Sequence, residues 1–420
     1  MTRKRYLQIT CLLLLGLISL QASPDEYLVG TAIGNVTPDR SLLASQALYL
    51  GGYGLWTSRG PATDVHDPLS VRAICIERGA GSFCLAVVDS LGIPGQVADE
   101  ITRLARIDGL PPETAVLVSA THTHAAPDLL GLWGGAPPGY KASLVSETVD
   151  TIGAAYRAKV PARLYRTVSE ATAHNRRDWG LTDDNMGLLI IRDPENIQDL
   201  GMLINFAAHP VTTPASNSAV SSDFVHYLRK TLAEQAHAPA IFVNGTLGDV
   251  TPGHRAPGSR DPDYWQSAET YGNTLATAAI RVAPEAIEVH GEIRLVQQTI
   301  TLRVDNWRLR IAHALGLLSA DLGGPIWHRT VETMVSHIRI GNDVEIVTLP
   351  GEPLTRFGLD LKSAMRAPLR MIFAQTNDSL GYFVPIDEWE TGRNGNYEES
   401  VSLGRETAPT LQRAVLDLLR

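Results

Sequence analysis

The sequence predicts a layered α/β fold, with mixed β-sheets flanked by α-helices, on three observations. Short apolar runs of strand character alternate with amphipathic stretches of helical length. Long Gly/Pro segments separate some of them. No repeat, flexible linker or block of like charge breaks the 420-residue chain, so a single domain over residues 24–420 is the economical reading.

The elements follow in order. MTRKRYLQITCLLLLGLISLQAS opens with Arg3, Lys4 and Arg5, then an uncharged apolar stretch, then small residues, which is the pattern of a signal peptide over residues 1–23. The stretch is shorter than the roughly 20 apolar residues a membrane span needs, so export to the periplasm or medium is expected, with an uncleaved anchor as the alternative. Strand-like runs then recur at RAICIE, SFCLAVVD, AVLVSA, GMLINFAA, AIFVNG, EIRLVQQTITLRV, HIRIGNDVEIVTL and RMIFAQ. Between them lie the helical patterns QVADEITRLARI, ASLVSETVDTIGAAYRA, DFVHYLRKTLAEQ, AETYGNTLATAAIRVA, RLRIAHALGLLSA, PLTRFGLDLKSAM and TLQRAVLDLLR. GLWGGAPPGY, TPGHRAPGSRDPDY and TGRNGNY interrupt this order, and irregular segments of that length often wall a binding site.

Charge and cysteines narrow the class. The formal net charge is −9, and loss of Arg3, Lys4 and Arg5 with the signal takes it to −12. No basic stripe interleaved with aromatics is present, which argues against nucleic acid as a partner. Beyond the signal only Cys75 and Cys84 remain, flanking IERGAGSF. A two-residue turn at Gly79-Ala80 would set the two cysteines directly opposite each other, either as a disulfide formed after export or as two buried thiols.

Candidate chemistry begins at VLVSATHTH. If the strand continues, alternation puts Val118, Ala120, His122 and His124 on one face, so both imidazoles point the same way. An HxH pair of this kind opens many zinc sites, and equally it can be a hydrogen-bonded pair at a strand end. Other suitable groups lie just past the carboxyl ends of apolar runs: His209 after MLINFAA, Glu352 after DVEIVTLPG, and Tyr382 after RMIFAQTNDSLG. Such ends are where layered α/β proteins gather their sites. Taken singly, Glu352 could instead cap the next helix and Tyr382 could be a core aromatic. His226, His237 and His313 fall on or beside helical patterns, while His254, His290, His328 and His337 have no companion at ligand spacing. His66 and Asp89 are held as supporting groups. No GxSxG elbow, CxxC pair or Walker loop occurs.

In order along the chain, GTAIGNVTPD, LGGYG, VHDPLSVRAICIE, VLVSATHTHAAPD, INFAAHPVTT, SSDFV, FVNGTLGDVTP, TLPGEP, NDSLGYFVP and NYEES resemble the catalytic domain of the neutral, non-lysosomal ceramidase family. The resemblance implies a Zn²⁺-dependent hydrolase of a ceramide-like N-acyl lipid, with His122, His209, Glu352 and Tyr382 as metal ligands. It implies further that Tyr397 in NYEES and Arg176 in AHNRRD lie near the scissile amide. His124 is then placed to orient water or protonate the leaving amine, and Asp128 and Asp223 to orient ligand imidazoles or to act as structural caps.

Three departures bear on the substrate. Where the family carries a serine near the reacting water, this chain has Gly245; THTHAAPDLLGL differs from the family's THTHSGPGG; and the chain ends at Arg420, where ceramidases usually continue into a β-sandwich. The alternatives are therefore a zinc hydrolase of another amide, an ester or a lactone, or an exported binding homologue without activity. GLWGGAPPGY could form an apolar lip in transient contact with a membrane surface, or a loop tethered on its own surface.

Overall fold

The structure is a computed structural model that describes residues 26–54, 59–177, 180–195, 198–253 and 263–420. The signal peptide expected over residues 1–23, His254 and most of TPGHRAPGSRDPDY lie outside the described residues.

The first structural unit is a hairpin. Ser70–Arg78 (β2) and Gly81–Val88 (β3) pair antiparallel, with Arg78 opposite Gly81 and Cys75 opposite Cys84. Gly79 takes φ +62°, the left-handed conformation this turn needs at its first central residue. The two cysteines form a disulfide across the strands, which settles the alternative the sequence leaves open.

Around this hairpin the larger sheet is built from Tyr27–Asn35 (β1), Ala115–Ala120 (β4), Val160–Glu170 (β5), Asn185–Arg192 (β6), Asp199–Phe206 (β7) and Ala240–Asn244 (β8). Its order is β8-β7-β6-β5-β1-β2-β3-β4, parallel at the two outer pairs and antiparallel between. A second sheet, in the order β9-β10-β11-β13, comprises Ile293–Arg303 (β9), Thr330–Ile340 (β10), Val344–Thr348 (β11) and Leu369–Phe373 (β13). The short strands Glu352–Pro353 (β12) and Tyr382–Phe383 (β14) pair in parallel beyond its end.

Apolar faces dictate the layers. Ile74, Phe83, Leu85 and Leu117 of the larger sheet pack against Ile338, Ile346, Met371 and Phe373 of the smaller one, so the two sheets lie face to face. Helices Gly95–Ile107 (α1) and Pro138–Arg157 (α2) cover the outer face beside β1–β4, and Phe224–Gln235 (α3) and Tyr264–Val282 (α4) cover it beside β6–β8. Thr355–Ala364 (α6) and Thr407–Leu418 (α7) close the outer face of the smaller sheet. The result is a four-layer α/β/β/α sandwich, the α/β class the sequence predicts.

Two expectations are adjusted. HIRIGNDVEIVTL is two strands, β10 and β11, turning at Gly341 with φ +56°. RLRIAHALGLLSA is helical only over Trp307–Ala314 (α5), because Gly316 enters the left-handed region at φ +70° and ends it.

Candidate metal centre

The carboxyl ends of β4, β7, β11 and β13 meet at one place, and with them the residues that follow. β4 stops at Ala120, and His122 turns out of the strand with φ +68°. The two histidines therefore do not converge by strand alternation, as the spacing suggests. They converge because the chain bends at His122, which brings His124 Nε2 to 3.4 Å from His122 Nε2.

His209 follows β7, and its Nε2 lies 3.1 Å from Glu352 Oε2; the same carboxylate oxygen is 3.3 Å from His122 Nε2. Glu352 and Tyr382, distant in sequence, are register partners in the β12–β14 pair. Ligand atoms of His122, His124 and His209 all lie within 4.8 Å of one another. His122, His209, Glu352 and Tyr382 are thus brought together, with His124 beside them.

Hydrogen bonds fix the rings. Nδ1 of His122 is 2.6 Å from the Leu91 carbonyl, and Nδ1 of His209 is 2.6 Å from that of Leu247. A carbonyl can only accept, so Nδ1 carries the hydrogen, and in the neutral form that binds metal the Nε2 of each ring is a lone pair. Two such lone pairs then face one carboxylate oxygen at 3.1–3.3 Å. Acceptors aimed at one another in a buried site repel unless a cation stands among them, so this donor set fits a divalent metal.

Charge states agree with that fit. Burial, reinforced by His122 and His209, holds His124 well below the usual imidazole range. Burial and then the Arg176 charge bring His209 down to about 4. Burial works against ionisation of Glu352, but positive charge and N–H donation from its imidazole neighbours, which a bound cation would replace, outweigh it and keep the carboxyl well below its ordinary value. Neutral imidazole and ionised carboxylate are the forms that bind metal.

Arg176 Nη2 donates to the Tyr382 hydroxyl at 3.0 Å, and its Nε donates to Glu398 at 3.0 Å. Burial pushes the Tyr382 phenol well above 10, with Arg176 as the largest opposing influence. Tyr397 stands edge-on to Tyr382, ring centroids 5.9 Å apart, and it too is raised, burial first. Both tyrosines, with His122, His124 and Glu352, line a cavity whose other walls are mostly apolar, among them Leu91, Leu130, Trp133, Leu309, Leu322 and Leu403, with Gln375, Asp378 and Ser379 as polar exceptions. Arg176 is placed behind Tyr382 and is not among the residues lining that cavity.

Both aspartates take the structural alternative that the sequence leaves open. Asp128 accepts from the backbone N–H groups of Gly131, Trp133 and Gly135 and so folds GLWGG, which leaves it no part in orienting imidazole. Asp223 accepts from Thr212, Thr213 and Phe224 as the cap of α3. Asp89 is paired with Arg229, and His66 stacks on Trp265. Two asparagines were missed. Asn244, at the end of β8, donates to the carbonyls of Thr121 and Ala208 and accepts from Ala208 N–H, pinning the two histidine-bearing strand ends together. Asn205 bonds Ile372 through both its donor and its acceptor, tying β7 to β13. A buried amide inside an apolar strand, as in MLINFAA and AIFVNG, is the signal that marks both.

The chain matches the solved neutral ceramidase from Pseudomonas aeruginosa at TM-score 0.77 and 19% identity, over 94% of this chain and 74% of that one. A ceramidase complexed with C2 matches at TM-score 0.78 and 18% identity, covering 94% of this chain and 75% of that one. No protein-family profile matches the sequence, and no curated protein does. The chain therefore has the neutral ceramidase fold, as its motifs led one to expect.

Proposed function

We propose that this chain is an exported zinc-dependent hydrolase that cleaves the amide bond of a ceramide-like N-acyl lipid. The observation that carries this reading is the convergence of two imidazole Nε2 atoms on one carboxylate oxygen at 3.1–3.3 Å in the wall of a mostly apolar cavity. Shared fold with solved ceramidases supports it. Among the described residues, no helix is long and apolar enough to cross a membrane. A disulfide between Cys75 and Cys84 suits an oxidising compartment and supports export.

His122, His209, Glu352 and Tyr382 would hold the ion, and nitrogen and carboxylate donors of this kind suit Zn²⁺. When bound, zinc supplies Lewis acidity toward the amide carbonyl and makes water nucleophilic at neutral pH. Everything else falls to the chain. Arg176, donating to the Tyr382 hydroxyl, favours the phenolate. Tyr397 faces the cavity with a donor for the oxyanion that develops on the carbonyl oxygen, a contact typically worth about 2.7–4 kcal/mol of barrier. His124, kept neutral by burial, takes a proton from the attacking water and returns it to the departing amine. The apolar walls exclude competing water and accept the acyl chain.

Metal analysis of the purified protein, combined with a panel of ceramide, simple N-acyl amides, esters and lactones, tests the reading. About one zinc per chain is expected, lost with activity on chelation and restored with zinc, together with the highest kcat/KM on an N-acyl lipid. Activity undiminished by chelation would remove the zinc, and preference for an ester or lactone would remove the substrate.

A further inference from the structure

The segment from Arg303 to Arg329 presents an unusual surface. Its short helix α5 is apolar on its outer face as well as its buried one: Trp307, Ile311 and Leu315, at i, i+4 and i+8, form one apolar stripe, and they are exposed to 61%, 43% and 66%. Leu317, Ile326 and Trp327 extend the exposed set along the following loop. The loop returns to the helix, since Arg310 Nη1 donates to the Trp327 carbonyl at 3.3 Å.

This surface is the outside of the cavity wall. Leu309, on the buried side of α5, lines the cavity together with Leu318, Ala320 and Leu322 of the loop. Ser319 N–H bonds the Leu130 carbonyl at 2.9 Å, joining the segment to the GLWGG loop, whose Leu132 and Trp133 line the same cavity. One continuous stretch of chain thus shows apolar side chains both to the cavity and to the exterior.

Its charge differs from that of the whole. The chain carries −9, yet Arg303–Arg329 holds four arginines against two aspartates. The Arg308 guanidinium stacks over the Trp307 ring, 5.0 Å from its centroid. Exposed tryptophan beside arginine suits the boundary between headgroups and acyl chains, where the ring is half apolar and the cation meets lipid phosphate. A protein partner would have no need of an opening into the cavity; a bilayer holding an acyl-chain substrate would.

We propose that α5 and the loop through Trp327 dock the protein onto an anionic lipid bilayer, with the cavity mouth facing the membrane. This inference deepens the lipid-amide reading and rests on it for its purpose, but the docking is measurable without substrate.

The experiment uses the purified protein and vesicles of phosphatidylcholine with or without phosphatidylglycerol, free of any amide lipid. Cosedimentation is expected with the anionic vesicles. The combined variant Trp307→Ser, Ile311→Ser, Trp327→Ser should weaken it by about tenfold or more. Arg308→Glu should abolish the preference for phosphatidylglycerol. The triple variant should keep its melting temperature and its kcat/KM on a soluble short-chain amide, while losing about tenfold on an amide embedded in vesicles. Wild-type protein that ignores both vesicle types, or a triple variant that binds them undiminished, overturns the docking. So does a concentration-dependent dimer that the triple variant dissolves, because a second copy would then cover the patch. Vesicle binding that depends on these residues, in a protein that hydrolyses no lipid amide, would leave the docking standing and remove the proposed substrate.

Discussion

Two buried clusters of charge lie side by side in this molecule and solve the same problem differently. Around Arg177, which is fully buried, stand Glu388, Glu398 and Glu399. The guanidinium donates to Glu398 at 2.7 Å and to Glu399 at 3.1 Å. Burial and then the Asp249 charge push the Glu388 carboxyl up to about 7, so near neutrality it keeps its proton about half of the time. That cluster is closed: the chain supplies its own cation and offsets excess negative charge by holding a proton on Glu388. Around Glu352 the partners at ion-pair distance are imidazoles, His122 and His209. That cluster is open, and a cation from outside would complete it. Arg176 joins the two, with Nε on Glu398 and Nη2 on Tyr382. A buried carboxylate is thus not by itself a site; what separates support from chemistry is whether the chain has neutralised it.

The contrast can be broken most sharply at Glu352. Glu352→Gln keeps the shape and removes the charge, so zinc content should fall to background, with hydrolysis reduced about a thousandfold or more. A single stabilising donor is already worth about 10²–10³ in rate. Metal analysis beside a kinetic assay reads both, and zinc retained at full stoichiometry would mean that this carboxylate is not the open cluster's anion.

The closed cluster should fail in stability instead. Arg177→Met leaves buried carboxylates without their cation, a loss of about 3–5 kcal/mol, visible as a lower denaturant midpoint. The reduced stability should appear even in metal-free protein, where Glu352→Gln should cost much less. Equal losses would erase the distinction between the clusters.

The proton on Glu388 gives a finer test. Its folded-state value, about 7, lies above the ordinary 4.5. Between these limits the unfolded chain has released the proton and the native one retains it, so this group makes stability fall as pH rises through that window and then level off. Glu388→Gln should flatten the fall by about 1–3 kcal/mol, measured as unfolding free energy across the window. An unchanged slope would show the carboxylate ionised and the cluster balanced by other means.

These tests also mark what could be read from the residues alone. His122, His209, Glu352 and Tyr382 were legible because each follows an apolar run, and strand ends in a layered α/β fold converge. Both helix and strand periods survive well in such a chain, since each layer buries one face. Tyr27–Asn35, Val160–Glu170 and Asn185–Arg192 were not picked out: the first is interrupted by glycines, the second carries exposed polar residues on one face, and the third is bounded by polar loops. The bend at His122 escaped because a positive φ at a non-glycine residue is imposed by tertiary contacts, here its N–H bonding the Ser90 carbonyl. The carbonyls of Leu91 and Leu247 that orient the imidazoles were illegible for a simpler reason: every residue has a carbonyl, and a leucine side chain says nothing of where it points.

Gly245 offers the smallest effect and a direct sharpening of the comparison with ceramidases. It follows β8 directly, and its N–H bonds the Phe206 carbonyl. A Cβ built there would meet the Ala207 N, Cα and Cβ at 3.2–3.3 Å, and Gly245 is not among the residues lining the cavity. A serine would therefore press on the backbone two residues before His209, with its bulk turned toward the seam between β8 and β7. Gly245→Ser should cost about 1–3 kcal/mol of stability, as overpacking does. It should change kcat/KM on an N-acyl lipid by less than about tenfold, since no new contact with a reacting group accompanies it. A gain well beyond tenfold, with zinc content unchanged, would mean that the hydroxyl reaches the reacting water after all. The missing serine, not the pocket rim, would then be what sets this chain apart from the ceramidases whose fold it shares.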